Sequence, residues 1–397
     1  MTNFILFDDT ARETLKPLTY LRPVCDIRVG IMTIREKWEH YLGQKTSTLV
    51  GESYLAAKYP MVKAENNVLI NGSVCPTPEL VHHVQNLKPN QILIQSDNVL
   101  ALCLNYDSVE DLGRDTDMEE IECETECTRI VNPWDVFVHN ASEIQKDFTL
   151  LTHGRKSQPL SKTNVVIGEG NIFMEEGAVV EGATLNATHG PIYIGKNAEI
   201  MENSSIRGPF AMCEHAIVKM SAKIYGGTTL GPYAKAGGEL ENVVIFGYSN
   251  KVHDGFMGNS VIAEWCNIGA DSNASNLKNT YEEVRLWSIA QQTFVATGQQ
   301  FCGVIMADHS KCGINTMFNT GTVVGVSCNI FGSGYQRNFI PSFAWGGPSG
   351  LRTYDIDKAL VVAERSMARR NKTISEDEKQ ILKYVYRMAL RGKNFRY

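Results

Sequence analysis

The chain of 397 residues lacks a long apolar run, a basic cluster and a recognisable cysteine motif. Nowhere do about eighteen apolar residues follow one another, so no membrane-crossing helix is expected. The start, Met1 to Asp9, has no basic residues ahead of its short apolar stretch, so no secretory leader is expected. Net charge is −6, which argues against nucleic acid as the main partner, although a phosphorylated small molecule needs only a local basic pocket. The ten cysteines are scattered; Cys123 and Cys127 are the closest pair, with neither a zinc pattern nor a C-x-x-C motif. Buried free thiols in a reducing cytoplasm are the expectation. Hydrophobic residues make up 43% and charged ones 21%, as in ordinary globular proteins, and the length allows two or three domains.

What the chain does have is a period of six. Ile194, Ile200, Ile206, Met212, Val218, Ile224, Leu230 and Ala236 follow at that strict interval. Ile167, Phe173, Val179 and Leu185 do the same upstream, until a three-residue insertion resets the phase. Neither an amphipathic helix nor an open sheet has this period. A triangular parallel β-helix does, because each flat face uses about six residues and turns one aliphatic inward. The repeat predicts a left-handed parallel β-helix from about 164 to 334. Breaks fall at 186–191 and at 273 to about 294; the second is long enough to leave the prism and reach a neighbouring subunit in a homotrimer.

The first 152 residues read as α/β. Strands are expected at 4–7, 67–71 and 91–95, and helices at 33–42, 78–87 and 133–151, which implies a mainly parallel sheet. The linker falls in 153–161. After 343–347 the chain turns helical to its end (335–397), and Ser375 to Glu378 form a capping-box signature.

The densest polar stretch is Ser249-Asn250-Lys251-Val252-His253-Asp254, followed by Phe256-Met257-Gly258, Asn267-Ile268-Gly269-Ala270 and Asn276. In order and spacing these segments resemble the acetyltransferase half of the GlmU-like family, bifunctional glucosamine-1-phosphate acetyltransferases and N-acetylglucosamine-1-phosphate uridylyltransferases. The resemblance implies His253 as the base that takes the amine proton, Asn276 as donor to the carbonyl oxygen, and Asn267 on the sugar. A neutral imidazole suits that work near physiological pH. Two positions depart from the family. Phe256 stands where Tyr is usual, and Glu241 stands where a sugar-phosphate Lys is expected. Lys235, Lys251, Lys278 and Tyr281 remain as phosphate ligands. The later cluster Asp308-His309-Ser310-Lys311, with Ala270, could bind coenzyme A, supply a second base, or form a polar edge of a coil. Zinc on His189, His215, His253 or His309 is disfavoured by the absence of a closely spaced His pair.

Leu15 to Pro23, with Pro17-Leu18-Thr19, looks like the opening of a sugar-1-phosphate nucleotidyltransferase. That resemblance puts a nucleoside triphosphate, with Mg²⁺, near Arg12, Lys16 and Arg22. The loop after the first strand lacks the family's glycines, Val24 replaces a Lys, and Asp97 is the weak substitute for the metal carboxylate. Both an active and a decayed domain fit. The expectation is therefore an α/β nucleotidyltransferase-like domain (1–152) joined to a hexapeptide-repeat acyltransferase (164–334) and a helical extension. Such an enzyme would act in the cytoplasm on an amino-sugar phosphate with acetyl-CoA as cosubstrate, on the route to UDP-N-acetylglucosamine. The rivals are a nucleotidyltransferase with a non-catalytic β-helix and a silent trimeric scaffold.

Overall fold

The computed structural model describes residues 2–105 and 118–391. The chain forms two compact units. The first holds 1–15, 21–27 and 32–132; the second holds 16–20, 28–31 and 133–397.

The first unit is built on a six-stranded sheet: β1 (Asn3–Phe7), β2 (Ser47–Leu49), β3 (Asn66–Asn71), β4 (Gln91–Gln95), β5 (Asn98–Asn105) and β6 (Glu119–Glu122), in the order β2-β1-β3-β5-β4-β6. It is mixed rather than mainly parallel. β1 pairs parallel with β2 and β3, whereas β5 runs antiparallel to both β3 and β4. Ser96, with φ 52°, closes the tight β4–β5 turn. A connection that short joins only antiparallel strands. Helix α1 (Ala11–Thr14) follows β1. Helix α2 (Ile34–Leu42) begins with a capping box, in which Thr33 accepts from Glu36 N at 3.1 Å and Glu36 accepts from Thr33 N at 2.7 Å. Helix α3 (Pro78–Gln85) is capped by Thr77, with Pro78 at its first position.

In the second unit the chain winds into a parallel β-solenoid. Ile172 pairs with Ile192, Ile192 with Phe210, and Phe210 with Thr228. The six-residue series from Ile194 to Ala236 is buried throughout and forms the axis of one continuous core. Of the upstream series only Leu185 joins it. Ile167 and Val179 are 43% and 50% exposed, and Phe173 lies on an outer face beside Tyr193, Ile31 and Ile144. The inward residues there are Met174, Val180 and Leu185, with Val166 packed against them.

Helix α4 (Asp135–Thr152), grouped with the first domain by sequence, packs within this second unit. Asn140 donates to Gly227 O at 2.7 Å and accepts from Gly30 N at 2.7 Å, while Asp147 accepts from Ile31 N at 2.7 Å. Gly30 has φ 77°, and a Cβ there would fall 2.5 Å from the Asp147 carboxylate, so only glycine suits this crossing. The interruption after Asn276 forms an antiparallel hairpin, Arg285–Ser288 with Thr293–Ala296. It folds back on its own solenoid: Val284 and Leu286 are buried, and Trp287 stacks on Phe339 at 5.0 Å. Helices α5 (Ile356–Ala368) and α6 (Glu376–Arg391) close the chain, α6 behind the expected Ser375–Glu378 capping box.

The two apolar series differ in what truncation should cost. Ile206→Ala, inside the core, should lower stability by about 2–5 kcal/mol, whereas Ile167→Ala should stay within about 0.5 kcal/mol. Urea unfolding followed by circular dichroism checks both, and equal losses would contradict this assignment of inward positions.

Candidate functional site

Between the strands of each coil the chain turns a corner, and three columns of corner residues run along the solenoid. The first column is aromatic: His215, Tyr233, Tyr248, Trp265 and His309 all have φ between 56° and 64°. Their rings stack at centroid distances of 4.6, 5.2, 4.2 and 6.4 Å, with planes within 19°. The second column carries His253, Asp254 and Asp271. The third carries Asn242, Asn259 and Asn276. There Asn276 Nδ2 donates to Asn259 Oδ1 at 2.9 Å, and Asn259 Nδ2 reaches the Asn242 amide oxygen at 3.1 Å once that amide is turned toward Phe137 O.

Between the first two columns lies a face whose outward residues are Lys235, Asn250, Asn267 and Lys311, in parallel register. A cavity of about 500 Å³ opens on it. Its walls are this ladder, Tyr248 and Trp265 from the aromatic corner, His253 from the second corner, and Lys219 below. Ser366, Arg369 and Arg370, at and just beyond the end of α5, complete it. Arg370 donates to Asn250 Oδ1 at 3.0 Å. The His253 ring is exposed and makes no hydrogen bond among the described residues. It is free to meet a ligand, and among the described residues no carboxylate hydrogen-bonds it.

The structure thus gathers four of the expected residues, His253, Lys235, Asn267 and Lys311, at one cavity. Lys251 is not among them. It points into the coil interior, at the position held by Ala236 one coil below, and is 1% exposed. Its amine donates to Gly237 O and Asp254 O, each at 3.2 Å, and to His253 O. A lysine committed to three backbone carbonyls offers no charge to a phosphate. Asn276 belongs to the third corner, two strand ends from His253. Lys278 donates to Glu283 O at 2.7 Å and Tyr281 is exposed, both at the base of the hairpin rather than in the cavity. Asp308 accepts from Glu264 N at 3.0 Å, and His309 tops the aromatic column. Lys311 donates to His309 O at 2.9 Å, and burial lowers its pKa. Ala270 O accepts from Asn315 N across the second corner.

Sequence reasoning missed Tyr248, Trp265, Lys219, Arg369 and Arg370. The aromatics carry a signal: their spacings repeat the register steps of the coils. The arginine pair carries none beyond its position at the end of an amphipathic stretch.

In the first unit, Arg12 is 2% exposed. Its guanidinium bonds Asp8, Arg22 O and the Tyr54 hydroxyl, each at 3.1 Å. Burial raises the Asp8 pKa against the pull of Arg12. Asp9 pairs with Arg129 at 2.9 Å and accepts from Asn71 at 2.8 Å. Arg12 therefore serves a network at the carboxyl ends of β1 and β3. Arg22 is buried, and Lys16 groups with the second unit. Asp97 sits exposed in the β4–β5 turn. No three metal-ligating side chains come together among the described residues.

Residues 4–156 match the family of sugar nucleotidyl transferases. Over 259 residues the chain is 26% identical to the bifunctional protein GlmU of Methanocaldococcus jannaschii, covering 65% of this chain and 53% of that protein. The chain thus spans about half the length of this curated relative. Among solved structures, the polySia-specific acetyltransferase NeuO is similar over 48% of this chain and 82% of its own, at 13% identity and TM-score 0.25. The UDP-N-acetylglucosamine acyltransferase of Arabidopsis is similar over 57% and 88%, at 18% identity and TM-score 0.18. The chain therefore joins a region that matches the sugar nucleotidyl transferase family to a parallel β-solenoid, and is similar to GlmU over 65% of its length. Among the described residues no helix is long and apolar enough to cross a membrane.

Burial pushes the Lys251 amine down to about 8 from its usual 10.5. The unfolded chain then holds more protons between those values, so stability should rise with pH through that window. Relative to Lys251→Met, the wild-type protein should gain roughly 1–3 kcal/mol between about pH 8 and 10.5. A constant difference in urea midpoints across that range would show that the amine is not buried as a cation.

Proposed function

We propose that this chain is a transferase of sugar-nucleotide biosynthesis whose solenoid moves an acetyl group from acetyl-CoA to the amine of an amino-sugar 1-phosphate. The observation that carries the reading is the cavity beside His253. It joins an exposed imidazole to lysine and arginine side chains and flat aromatic walls, on a chain whose residues 4–156 match sugar nucleotidyl transferases. Phosphorylated substrates need the cations, and amine acylation needs a base of near-neutral pKa.

His253 takes the proton as the amine attacks the thioester carbonyl. The C–N bond forms, the C–S bond breaks, and the coenzyme leaves as a thiol. Asn276 keeps a second amide N–H beyond the one given to Asn259, and that N–H serves the carbonyl oxygen as charge develops. Both residues border the strands Phe256–Ile262 and Asn273–Ala274, so a thioester lying along that strip is within reach of each. Asn267 binds the sugar, Lys235 binds a substrate phosphate, and Lys311 steadies the aromatic corner rather than acting as a base. His253→Ala should cut acetyl transfer about 10²–10⁴-fold with little change in stability. Free-thiol release with a panel of amino-sugar phosphates measures it, and unchanged turnover would shift the role to His309.

The first unit is proposed to bind a nucleoside triphosphate at the carboxyl ends of β1 and β3, with Mg²⁺ arriving as the counter-ion of the triphosphate. Without a glycine-rich loop the backbone cannot wrap the phosphates, so side-chain charge must supply more of the affinity. Binding should be weak, Mg²⁺-dependent and lost in Arg22→Ala. Calorimetry with UTP, dTTP, CTP, GTP and ATP tests this. Absence of heat from all five, with the protein folded, would leave this unit a structural remnant.

A further inference from the structure

The cavity beside His253 is rich in positive charge. Lys219, Lys235, Lys311, Arg369 and Arg370 line it, and no carboxylate does. The crowding is felt by its members. Burial and then Arg370, Lys219 and Arg369 lower the proton affinity of Lys235, with Glu199 opposing them last and least. Burial and Arg369 do the same to Arg370. Like charges brought together without a partner oppose folding.

Two of the five come from outside the solenoid. Asp355 caps the start of α5 by accepting from Lys358 N at 3.1 Å. Ala359, Leu360, Ala363 and Met367 bury its inner face. The arginines following it are therefore held over the ladder rather than left on a free tail. A helix C-terminus favours cations in its last turn, which explains arginines there. It does not explain Lys219 and Lys235 opposite them. The Arg370–Asn250 bond is neutral on one side, so among the described residues the guanidinium has a hydrogen-bond partner but no ion-pair partner.

We propose that α5 completes a phosphate subsite. Arg369 and Arg370, with Lys219 and Lys235, bind a phosphate or pyrophosphate group of one of the two transfer substrates, and the cluster is retained at a cost to the ligand-free protein. This rests on the transferase reading of the same cavity. The anion takes Arg370 from Asn250, and Tyr248 and Trp265 flank the group that carries it. Two sources share this chemistry: the phosphates of the acetyl donor and that of the amino-sugar acceptor.

The experiment uses the full chain, with Arg369→Gln/Arg370→Gln as the variant and Arg365→Gln, exposed on the same helix, as control. Melting without ligand at low salt is compared with titrations of inorganic pyrophosphate, acetyl-CoA and glucosamine 1-phosphate. The double variant should melt no lower than wild type, or higher, while its pyrophosphate affinity falls about 10–100-fold, charge-assisted bonds to guanidinium being strong. The control should match wild type in both. Loss confined to acetyl-CoA assigns the donor phosphates, and loss confined to the sugar phosphate assigns the acceptor. Pyrophosphate affinity that depends on the arginines in a protein without acetyl transfer upholds the subsite and removes the transferase reading. Equal affinities in wild type and double variant, or a double variant that melts lower and binds as before, overturn the proposal whatever the transfer activity.

Discussion

Every coil of the solenoid must turn its corners while keeping its strands in register with the coil below. At the first corner this is done by one residue with left-handed backbone, whose N–H donates to the previous coil. Tyr233 N bonds Glu214 O at 3.0 Å, Tyr248 N bonds Pro232 O at 2.8 Å, and His309 N bonds Glu264 O at 2.9 Å. Left-handed backbone costs roughly 1–2 kcal/mol for a residue with a Cβ. Here the cost is offset by what the geometry makes possible, because side chains at one corner point the same way and their rings stack. Aromatic pairs contribute about 0.5–1.5 kcal/mol beyond the area they bury.

The site depends on those corners. Tyr248 and Trp265 are wall residues of the cavity because they are corner residues first, and His253 reaches it from the next corner of the same coil. Two lysines hold this arrangement, Lys251 from within the coil and Lys311 from the outward ladder. Lys251 binds carbonyls on both sides of the His253 corner, and Lys311 bonds Trp265 O and His309 O at the aromatic one. Turning corners leaves carbonyls without strand partners, and an ammonium with three donors is suited to collecting them.

Much of this was legible in the sequence, for reasons that also explain the failures. The period of six is visible wherever inward residues are aliphatic and outward ones polar. It misleads in the first coils, where Phe173 and Tyr193 are outward yet apolar because α4 covers that face. The β5 strand escaped notice because only two residues separate it from β4, and the pair reads as one run. His253 stood out through the spacing of its neighbours. Lys251 was misplaced because a lysine in a polar stretch reads as exposed, and nothing local reveals that it occupies an inward slot. Arg369 and Arg370 belong to the cavity only through the return of α5 onto the solenoid, a contact that no local pattern encodes.

The aromatic column also limits how such a chain can change length. Shifting the register of one coil by a single residue would move a ring off its corner and separate the stacks above and below it together. Growth within the column is therefore quantised: the solenoid can gain or lose whole coils, and insertions are tolerated only at a corner that carries no ring. The hairpin after Asn276 leaves from the asparagine corner, and Cys302 N rejoins it by bonding Asn276 O at 2.8 Å. The column from Trp265 to His309 passes beside that insertion unbroken, so novelty in this fold enters along one edge while another keeps count.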